Sequence, residues 1–244
     1  MFVVQEKPNS IASESYRTLR TNIEYSSFDE SLKTIVVTSS EPNEGKTTTA
    51  GNLAISLAHN EKKVLLIDCD LRRGTIHRRF KISNAEGLSE IIVGKTSIEK
   101  VVREVTKNLG IITTGNLPPN PSEMLASKCM GDLINKLREG YDYIILDAPP
   151  VLAVTDAQIL STKVDGTLLV ARAEKTKKNS IVNAKKLLEK VNANIVGIVF
   201  NGIDMKKTNY YSYCRRGEKK RKKIRKKEKS NKKGILGKEL ERVI

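Results

Sequence analysis

The sequence predicts an α/β fold in which a mostly parallel sheet is covered by helices on both faces. Short apolar runs rich in β-branched residues alternate along the chain with segments whose apolar residues recur at helical spacing. Strands this apolar are buried on both faces, which requires a helix layer on each side of the sheet. The acidic residues that stand out follow directly on apolar runs, and ligands of parallel sheets bind at the carboxyl ends of the strands.

The first predicted strand, residues 34–38, leads into the most informative motif of the chain. A loop with Asn43 and Gly45 follows, and Lys46 and Thr47 then open a segment of helical periodicity. Backbone N–H groups of such a loop converge on an anion. The lysine adds a charge for the β- and γ-phosphates, and the threonine hydroxyl can bind Mg²⁺. Strand, loop, Gly-Lys-Thr and helix predict a P-loop, and therefore a P-loop NTPase-like fold that binds ATP and Mg²⁺.

Ser40 and Asn43 stand where a P-loop often carries glycine, but asparagine tolerates positive φ better than most residues. The residues predicted to bind the nucleotide are Asn43, Glu44, Gly45, Lys46, Thr47, Thr48 and, at the end of the last strand, Asn201.

The remaining elements continue the alternation of strands and helices. Residues 1–9 look extended, and a helix capped by Ser10 or Ser13 runs to about residue 25. Further strands are predicted at 63–68, 109–114, 143–147, 166–171 and 195–200, and further helices as a short pair within 87–105, from Pro121 to about 139, from Thr155 or Asp156, and over 180–191. These elements form one predicted domain, residues 1–205, which a flexible tail, residues 206–244, follows.

Three carboxylates at the ends of predicted strands give this domain its chemistry. Asp147 is placed as the Walker B acid that holds Mg²⁺. Asp68 and Asp70 are two residues apart, so strand alternation would turn both toward the γ-phosphate. One of them can order the metal shell while the other accepts a proton as general base, and Asp68 is our preferred base. Arg72 is placed to neutralise the transferred phosphate or to orient an acidic partner. The predicted catalytic set is Lys46, Asp68, Asp70 and Arg72, and the predicted metal set is Thr47, Asp68, Asp70 and Asp147.

Charge and cysteine content restrict the class further. The formal net charge is +16, and residues 206–233 hold 15 Lys and Arg against 2 acidic residues, so the rest of the chain is nearly neutral. The three cysteines are scattered without a Cys-x-x-Cys pair, which argues against a disulfide framework or a zinc site. The sequence has no run of 18 apolar residues and no signal-peptide pattern, so we expect a cytosolic protein.

Together these motifs resemble those of the bacterial tyrosine kinases (BY-kinases). The matching segments are Lys46-Thr47 (Walker A), Asp68-x-Asp70-x-Arg72 (Walker A′), Leu146-Asp147 (Walker B), Glu14-x-x-Arg17-x-x-Arg20 with Thr21-Asn22, Asn120-Pro121-Ser122-Glu123, and the late tyrosines. The resemblance covers roughly residues 10–215. A lone P-loop would be far less specific.

The resemblance implies a partition-ATPase type of P-loop fold that phosphorylates tyrosine with ATP and Mg²⁺. It implies that Glu14, Arg17 and Arg20 mediate ring-like self-association. It also implies that Tyr210, Tyr211 and Tyr213 are phosphorylated in trans by the neighbouring subunit. The short form resembles the Gram-positive arrangement of capsular and exopolysaccharide synthesis. There the kinase works with the cytoplasmic tail of a transmembrane activator, a polysaccharide co-polymerase, and with a cognate phosphotyrosine phosphatase.

The basic segment 215–233 departs from the family pattern. Basic residues near an anionic leaflet contribute about 1 kcal/mol each, so we expect the protein to be cytoplasmic and peripheral at the inner face of the cell membrane. A solvated, solubilising tail is the simpler alternative. Nucleic-acid binding is disfavoured, because no aromatic or structural reader accompanies the charges.

Two other functions use the same site residues. A partition or cell-division ATPase switch would carry a signature lysine early in the P-loop, where this chain has Glu41. A regulatory scaffold would bind nucleotide without transferring phosphate, and the intact acidic residues argue against it. An autokinase is therefore the favoured function, with the ATPase switch as the alternative.

Overall fold

The computed structural model describes residues 2–26 and 32–204 of the chain. Its strands are β1 (Thr34–Ser39), β2 (Val64–Asp68), β3 (Arg103–Thr106), β4 (Leu109–Ile112), β5 (Tyr143–Asp147), β6 (Gly166–Arg172) and β7 (Ile195–Asn201). Its helices are α1 (Val3–Glu6), α2 (Ile11–Glu24), α3 (Lys46–Ala58), α4 (Ile76–Phe80), α5 (Leu88–Ile92), α6 (Ile98–Val101), α7 (Pro121–Ala126), α8 (Lys128–Gly140), α9 (Asp156–Ser161) and α10 (Lys178–Glu189).

The seven strands form one sheet in the order β3-β4-β2-β5-β1-β6-β7. Every neighbouring pair is parallel except β3 and β4, which are antiparallel. Adjacent residues of the central strands belong to two different apolar clusters: Ile35 of β1 lies in one and Val36 in the other. Because successive strand residues point to opposite faces, the sheet is buried on both sides. The predicted α/β, P-loop NTPase-like fold is confirmed.

β1, β5 and β2 lie side by side in the middle of the sheet, and this arrangement positions the site. Asp68 and Asp147 end β2 and β5 and are paired in register. The loop that follows β1 opens at the same edge. The carboxyl ends of the three strands therefore bring the predicted acids and the P-loop together.

The structure corrects four sequence-based element predictions. Residues 1–9 are not wholly extended, because Val3–Glu6 form a helical turn that buries Val4 and bonds its N–H to Asn52 Oδ1 at 3.0 Å. The pair of helices within 87–105 is followed by β3, an exposed strand that pairs with β4 across a short turn. The helix from Pro121 is interrupted at Ser127, whose hydroxyl caps α8 by accepting the Met130 N–H. The short helix α4 has no counterpart among the predicted elements.

The N-terminal helix and the helix after Thr155 begin as the sequence predicted. Ser10 is the N-cap of α2, with its hydroxyl accepting the Ser13 N–H at 3.1 Å, and Thr155 precedes α9. Within the described ranges, no helix has the length and apolar character needed to span a membrane. The predicted tail, residues 206–244, lies outside the described residues.

Candidate active site

The loop between β1 and α3 has the backbone of a phosphate-binding loop. Gly45 has a φ of +99°, and a Cβ at this position would lie 1.8 Å from Asn201 Nδ2. Glycine is therefore required both for its conformation and for the space. Asn43 has a φ of +65°, a conformation that asparagine tolerates. Asn201, predicted at the nucleotide, lies against this loop and donates to the Glu44 carbonyl at 3.1 Å.

Glu44 braces the loop from inside. Its carboxylate is buried and accepts hydrogen bonds from the Ser40 hydroxyl at 2.9 and 3.0 Å, from the Glu41 N–H at 2.9 Å, and from the Thr176 hydroxyl. The side chain of Glu44 thus holds the loop, so its backbone and not its carboxylate would contact a nucleotide. Ser40, which stands where glycine is common, has its own function as a donor in this network.

Lys46 is held by the acidic residues of the neighbouring strands. Its Nζ lies 3.0 Å from Asp70 Oδ2 and 3.8 Å from Asp147 Oδ1, and it donates to the Thr47 hydroxyl at 3.4 Å. Burial lowers the pKa of Lys46, but the charges of Asp147 and Asp70 outweigh it, so the pKa is raised overall. Lys46 therefore stays protonated and can pair with phosphate.

Asp147 is the buried acid best suited to a metal ion. Asp147 is 1% exposed, and neither of its carboxylate oxygens has a hydrogen-bond partner among the described residues. Burial raises the pKa of Asp147, and the charge of Lys46 offsets part of this rise. A buried carboxylate whose nearest cation, Lys46 Nζ, lies 3.8 Å away and which accepts no hydrogen bond is suited to a closer positive partner, which Mg²⁺ would supply.

The residues present fit a magnesium ion that arrives with nucleotide. The Thr47 hydroxyl and the Asp70 and Asp147 carboxylates all lie around Lys46 Nζ. Within residues 2–26 and 32–204, no group of three or more His, Cys, Asp or Glu side chains is arranged to hold a metal by itself. Mg²⁺ in nucleotide sites takes phosphate oxygens and waters as most of its ligands and only one or two carboxylates, so this sparse set is compatible with it.

Asp68 and Asp70 do not point the same way, although strand alternation predicted that both would face the γ-phosphate. Strand β2 ends at Asp68, so the alternation does not extend to Asp70. Asp68 is fully buried and accepts the N–H groups of Asp70 at 3.2 Å and Ile76 at 3.0 Å. Burial, with the charge of Asp147 adding to it, raises the pKa of Asp68 to about 7.

Arg72 forms an ion pair with Asp156, a partner that the sequence did not identify. Its guanidinium binds the fully buried carboxylate of Asp156 through two hydrogen bonds, at 2.9 and 3.1 Å, and donates to the Ser122 hydroxyl at 2.8 Å. Ser122 in turn donates to Asp156 at 2.7 Å. The Asp156 contact gives Arg72 an acidic partner, and because Arg72 also lines the cavity described next, both predicted roles stay predictions. Asp156 was not predicted as a site residue, and its only signal in the sequence was its position at a helix start.

A cavity of about 420 Å³ opens beside these residues, and we call it the phosphate cavity. One wall is the P-loop, and another is the apolar segment from Pro149 to Val154. Arg73 and Arg79 also line it, although neither was predicted as a site residue. The lining residues are Pro42, Asn43, Gly45, Lys46, Thr47, Thr48, Asp70, Arg72, Arg73, Thr75, Arg79, Pro149, Pro150, Ala153 and Val154.

The Glu14-x-x-Arg17-x-x-Arg20 motif lies on α2, outside the residues that line the phosphate cavity. Arg17 Nη1 binds Glu14 Oε2 at 2.6 Å on an exposed surface. Arg17 Nη2 also donates to the Pro8 carbonyl at 2.6 Å, at the surface, whereas Arg20 Nη1 donates to the Ser56 carbonyl of α3 at 3.0 Å in a partly buried contact. The phosphosite predictions, Tyr210, Tyr211 and Tyr213, and the basic segment 215–233 fall outside the described residues.

Comparison with known proteins agrees with this geometry. Residues 32–197 match the family model described as an AAA domain. The chain is 43% identical over 212 residues to the tyrosine-protein kinase YwqD of Bacillus subtilis (strain 168), covering 86% of this chain and 90% of that protein. It is 37% identical to the putative tyrosine-protein kinase CapB of Staphylococcus aureus, covering 86% and 92%. It is also 37% identical to the tyrosine-protein kinase etk of Escherichia coli (strain K12), of which it spans only 29% while 87% of this chain is covered.

Solved structures give the same result. The kinase domain of Escherichia coli tyrosine kinase ETK superposes with a TM-score of 0.80 at 37% identity, covering 83% of this chain and 80% of that one. The chimerical protein CapA2B2 gives 0.79 at 35% identity, covering 82% and 88%. A plasmid partition protein from Borrelia burgdorferi gives 0.58 at 24% identity, covering 73% and 83%, and shares the fold alone.

Proposed function

Since the chain belongs to the bacterial tyrosine-protein kinases, we propose that it transfers the γ-phosphate of ATP to tyrosines of its own C-terminal segment, between copies of the chain. Its activity is that of an ATP-dependent protein-tyrosine kinase, supported by relatives 37–43% identical over most of the chain. The observation that carries the proposal is the convergence of Lys46, Asp70 and Asp147 at the mouth of the P-loop. The acceptors that we propose are Tyr210, Tyr211 and Tyr213.

In the proposed reaction the P-loop backbone, with Thr48, holds the phosphates of ATP. The Lys46 ammonium, now paired with Asp70, shifts toward the β- and γ-phosphates as they enter. Mg²⁺, bound with ATP, would neutralise charge on the transferring phosphoryl group. The Thr47 hydroxyl, Asp147 and one carboxylate of the Asp68/Asp70 pair would hold it. Asn201 holds the P-loop in position through its hydrogen bond to the Glu44 carbonyl.

The tyrosine oxygen attacks the γ-phosphorus, an O–P bond to the phenol forms, and the bond from the γ-phosphorus to the β–γ bridging oxygen breaks. The phenol proton passes to a carboxylate, for which we propose Asp68. A base works best with a pKa near the working pH, and the pKa of about 7 for Asp68 supports this role. Asp70, unlike Asp68, lines the cavity, but it is paired with Lys46.

The proposed setting is the control of capsular or exopolysaccharide synthesis and export. Relatives carry names that point there, such as the putative tyrosine-protein kinase in the cps region of Klebsiella pneumoniae, 36% identical over 86% of this chain, of which the chain spans 29%. A transmembrane activator whose cytoplasmic tail binds the kinase is the proposed partner, and similarity to the chimerical CapA2B2 protein supports a separate partner chain. We also propose a cognate phosphotyrosine phosphatase and a cytoplasmic location at the inner face of the cell membrane.

Self-association into a ring is proposed to use α2. Glu14 and Arg17 form an exposed ion pair that is open to rearrangement with a second copy. Such exposed pairs contribute little within one chain, so an intermolecular role would explain them better. Arg20 would act by fixing α2 on α3.

Mass spectrometry after incubation with ATP and Mg²⁺ tests the proposed function. The wild-type chain, a Lys46→Met control and a sample fused to the activator's cytoplasmic tail are compared. Phosphate on Tyr210, Tyr211 or Tyr213 that is absent from the control is the expected result. ATP hydrolysis without phosphotyrosine, even with the activator tail, would instead favour the ATPase switch, although Glu41 replaces its signature lysine and accepts a hydrogen bond from Ser180 at 2.6 Å.

A further inference from the structure

The phosphate cavity is lined by more cationic side chains than have acidic partners. Four cationic side chains line it, and two of them already have acidic partners: Lys46 is bound to Asp70, and Arg72 to Asp156. Arg73 and Arg79 differ, since within residues 2–26 and 32–204 neither guanidinium forms an ion pair or a hydrogen bond. Two guanidinium groups without an ion pair or hydrogen bond line the same cavity and are available for an anion, although the charge of Arg79 also acts on Asp147.

Both arginines extend from backbone that the acidic motif holds in place. The N–H of Arg73 donates to Asp70 Oδ1 at 3.0 Å. Arg79 lies on α4, whose first N–H, that of Ile76, donates to Asp68 Oδ2 at 3.0 Å. The far end of α4 is packed as well, because the rings of Phe80 and Phe2 lie 4.5 Å apart. The backbone that carries the two arginine side chains is therefore held in place before any ligand binds.

The proposed acceptor segment is itself basic. Between residues 206 and 216 it carries four Lys and Arg and no acidic residue, with three tyrosines at 210, 211 and 213. Unpaired arginines on the cavity wall would repel such a segment. One phosphotyrosine adds a charge of about −1.5 to −2 and three strong acceptor oxygens. Close to the remaining tyrosines, the interaction of the segment with the two arginines would therefore change from repulsion to attraction.

We propose that Arg73 and Arg79 form an anion subsite that binds a phosphotyrosine already present on the acceptor segment, so that a segment phosphorylated once becomes a better acceptor for the second phosphate. The subsite rests on the proposed autokinase function and deepens it. It makes phosphorylation of the tyrosine cluster sequential. Arg72 takes no part, because its guanidinium is held by Asp156 and Ser122.

The same chemistry could bind the γ-phosphate of the nucleotide, so the test separates the two sources. Two labelled peptides spanning residues 206–216 are compared, with Phe at 210, Tyr at 211, and either phosphotyrosine or Phe at 213. Peptide affinity is measured by fluorescence anisotropy and phosphate transfer to Tyr211 by mass spectrometry. The proteins are full-length wild type, Arg73→Ala, Arg79→Ala and, as matched control, Arg78→Ala. Arg78 neighbours Arg79 on α4, does not line the cavity, and contacts His77.

For the wild type and Arg78→Ala we expect the phosphopeptide to bind about tenfold more tightly, the size of one charge-assisted contact. This preference should fall to about threefold or less in Arg73→Ala and Arg79→Ala. Equal affinity of the wild type for both peptides, or an unchanged preference in both arginine variants, would overturn the subsite. Weaker MgATP binding in those variants with the preference intact would assign the arginines to the nucleotide and overturn it too. Transfer to neither peptide, with ATP hydrolysed, contradicts the proposed function instead, and the affinities still decide the subsite.

Discussion

Arg72 stabilises the buried carboxylate of Asp156, which has no other cationic partner among the described residues. Removing one member of such a pair leaves a buried charge unpaired, which costs several kcal/mol when the pair is fully enclosed. Here the Arg72 side chain is 39% exposed and Ser122 still donates to Asp156, so the penalty is smaller.

We expect Arg72→Ala to lower the free energy of unfolding by about 2 kcal/mol, measured by urea denaturation. Arg78→Ala removes the same charge from a side chain without a carboxylate partner and should change it by less than about 0.5 kcal/mol. The double variant Arg72→Ala/Asp156→Asn should recover part of the loss, since the buried charge is gone. Equal effects of the Arg72 and Arg78 substitutions would show that the Asp156 contact carries no stability.

The residues nearest the phosphates could be predicted from sequence, because a P-loop imposes local spacing on Gly45, Lys46 and Thr47. Contacts between distant segments could not. Arg72 and Asp156 are 84 positions apart, and only the strand order places them together. The orientation of Asp68 differs from the prediction because alternation stops where β2 stops: Asp70 lines the cavity, whereas the Asp68 carboxylate accepts the N–H groups of Asp70 and Ile76. Arg73 and Arg79 carry no motif, so their place in the cavity could be found only from the structure.

Asp165 fastens β1, α8 and β6 at the end of the sheet opposite the site. Its carboxylate accepts from Arg138 at 2.6 Å and from the N–H and hydroxyl of Thr34 at 2.8 and 3.0 Å. Burial raises the pKa of Asp165, but the hydrogen bonds from Arg138 and Thr34 outweigh it, so the pKa is lowered overall. A lowered native pKa means that the ionised form contributes stability above the unfolded-state pKa, near 3.9.

We expect Asp165→Asn to lower the free energy of unfolding at pH 7 by about 1–2 kcal/mol. The difference from wild type should persist down to pH 5 and shrink as the pH falls below about 4, because the wild-type carboxyl then becomes protonated and resembles the amide. Denaturation curves at pH 7, 5, 4 and 3.5 measure it. A difference that grew on acidification would contradict the sign of the pKa shift.

Helix α2 carries two kinds of arginine, which the sequence motif does not distinguish. Arg17 pairs with Glu14 and donates to the Pro8 carbonyl at the surface, whereas Arg20 makes a partly buried hydrogen bond to the Ser56 carbonyl and lies 3.9 Å from Glu24. The motif predicted one shared role for Glu14, Arg17 and Arg20. In the folded chain its last member also joins α2 to α3, the helix that follows the P-loop.

We expect Arg20→Ala to lower stability by about 1 kcal/mol in addition to weakening self-association. Arg17→Ala should weaken self-association with a smaller loss of stability, because its contacts with Glu14 and the Pro8 carbonyl are exposed to solvent. Light scattering reports the oligomer and thermal unfolding reports stability at a concentration where the protein is monomeric. Unchanged oligomers in both variants would refute the assignment of α2 to the ring, and equal stability losses would refute the distinction between the arginines.

At the scale of the whole chain, charge is concentrated in one segment. Of the net charge of +16, residues 206–233 account for +13. We expect the full chain to bind phosphatidylserine-containing vesicles and a variant lacking residues 215–233 to lose this binding, because each basic residue near the surface contributes about 1 kcal/mol. Neutral phosphatidylcholine vesicles are the control. Equal sedimentation of both chains with anionic vesicles would refute the membrane role.

The claim that one copy phosphorylates another's tyrosines is tested most directly by mixing a chain that lacks the catalytic lysine with a chain that lacks the acceptor tyrosines. One is Lys46→Met with its tyrosines intact, and the other has Tyr210, Tyr211 and Tyr213 replaced by Phe with its active site intact. Each is incubated with ATP and Mg²⁺ alone and together, and phosphotyrosine is mapped by mass spectrometry. Transfer between copies predicts phosphate on the Lys46→Met chain in the mixture only. No phosphate in the mixture, when the wild type is phosphorylated under the same conditions, would contradict transfer between copies.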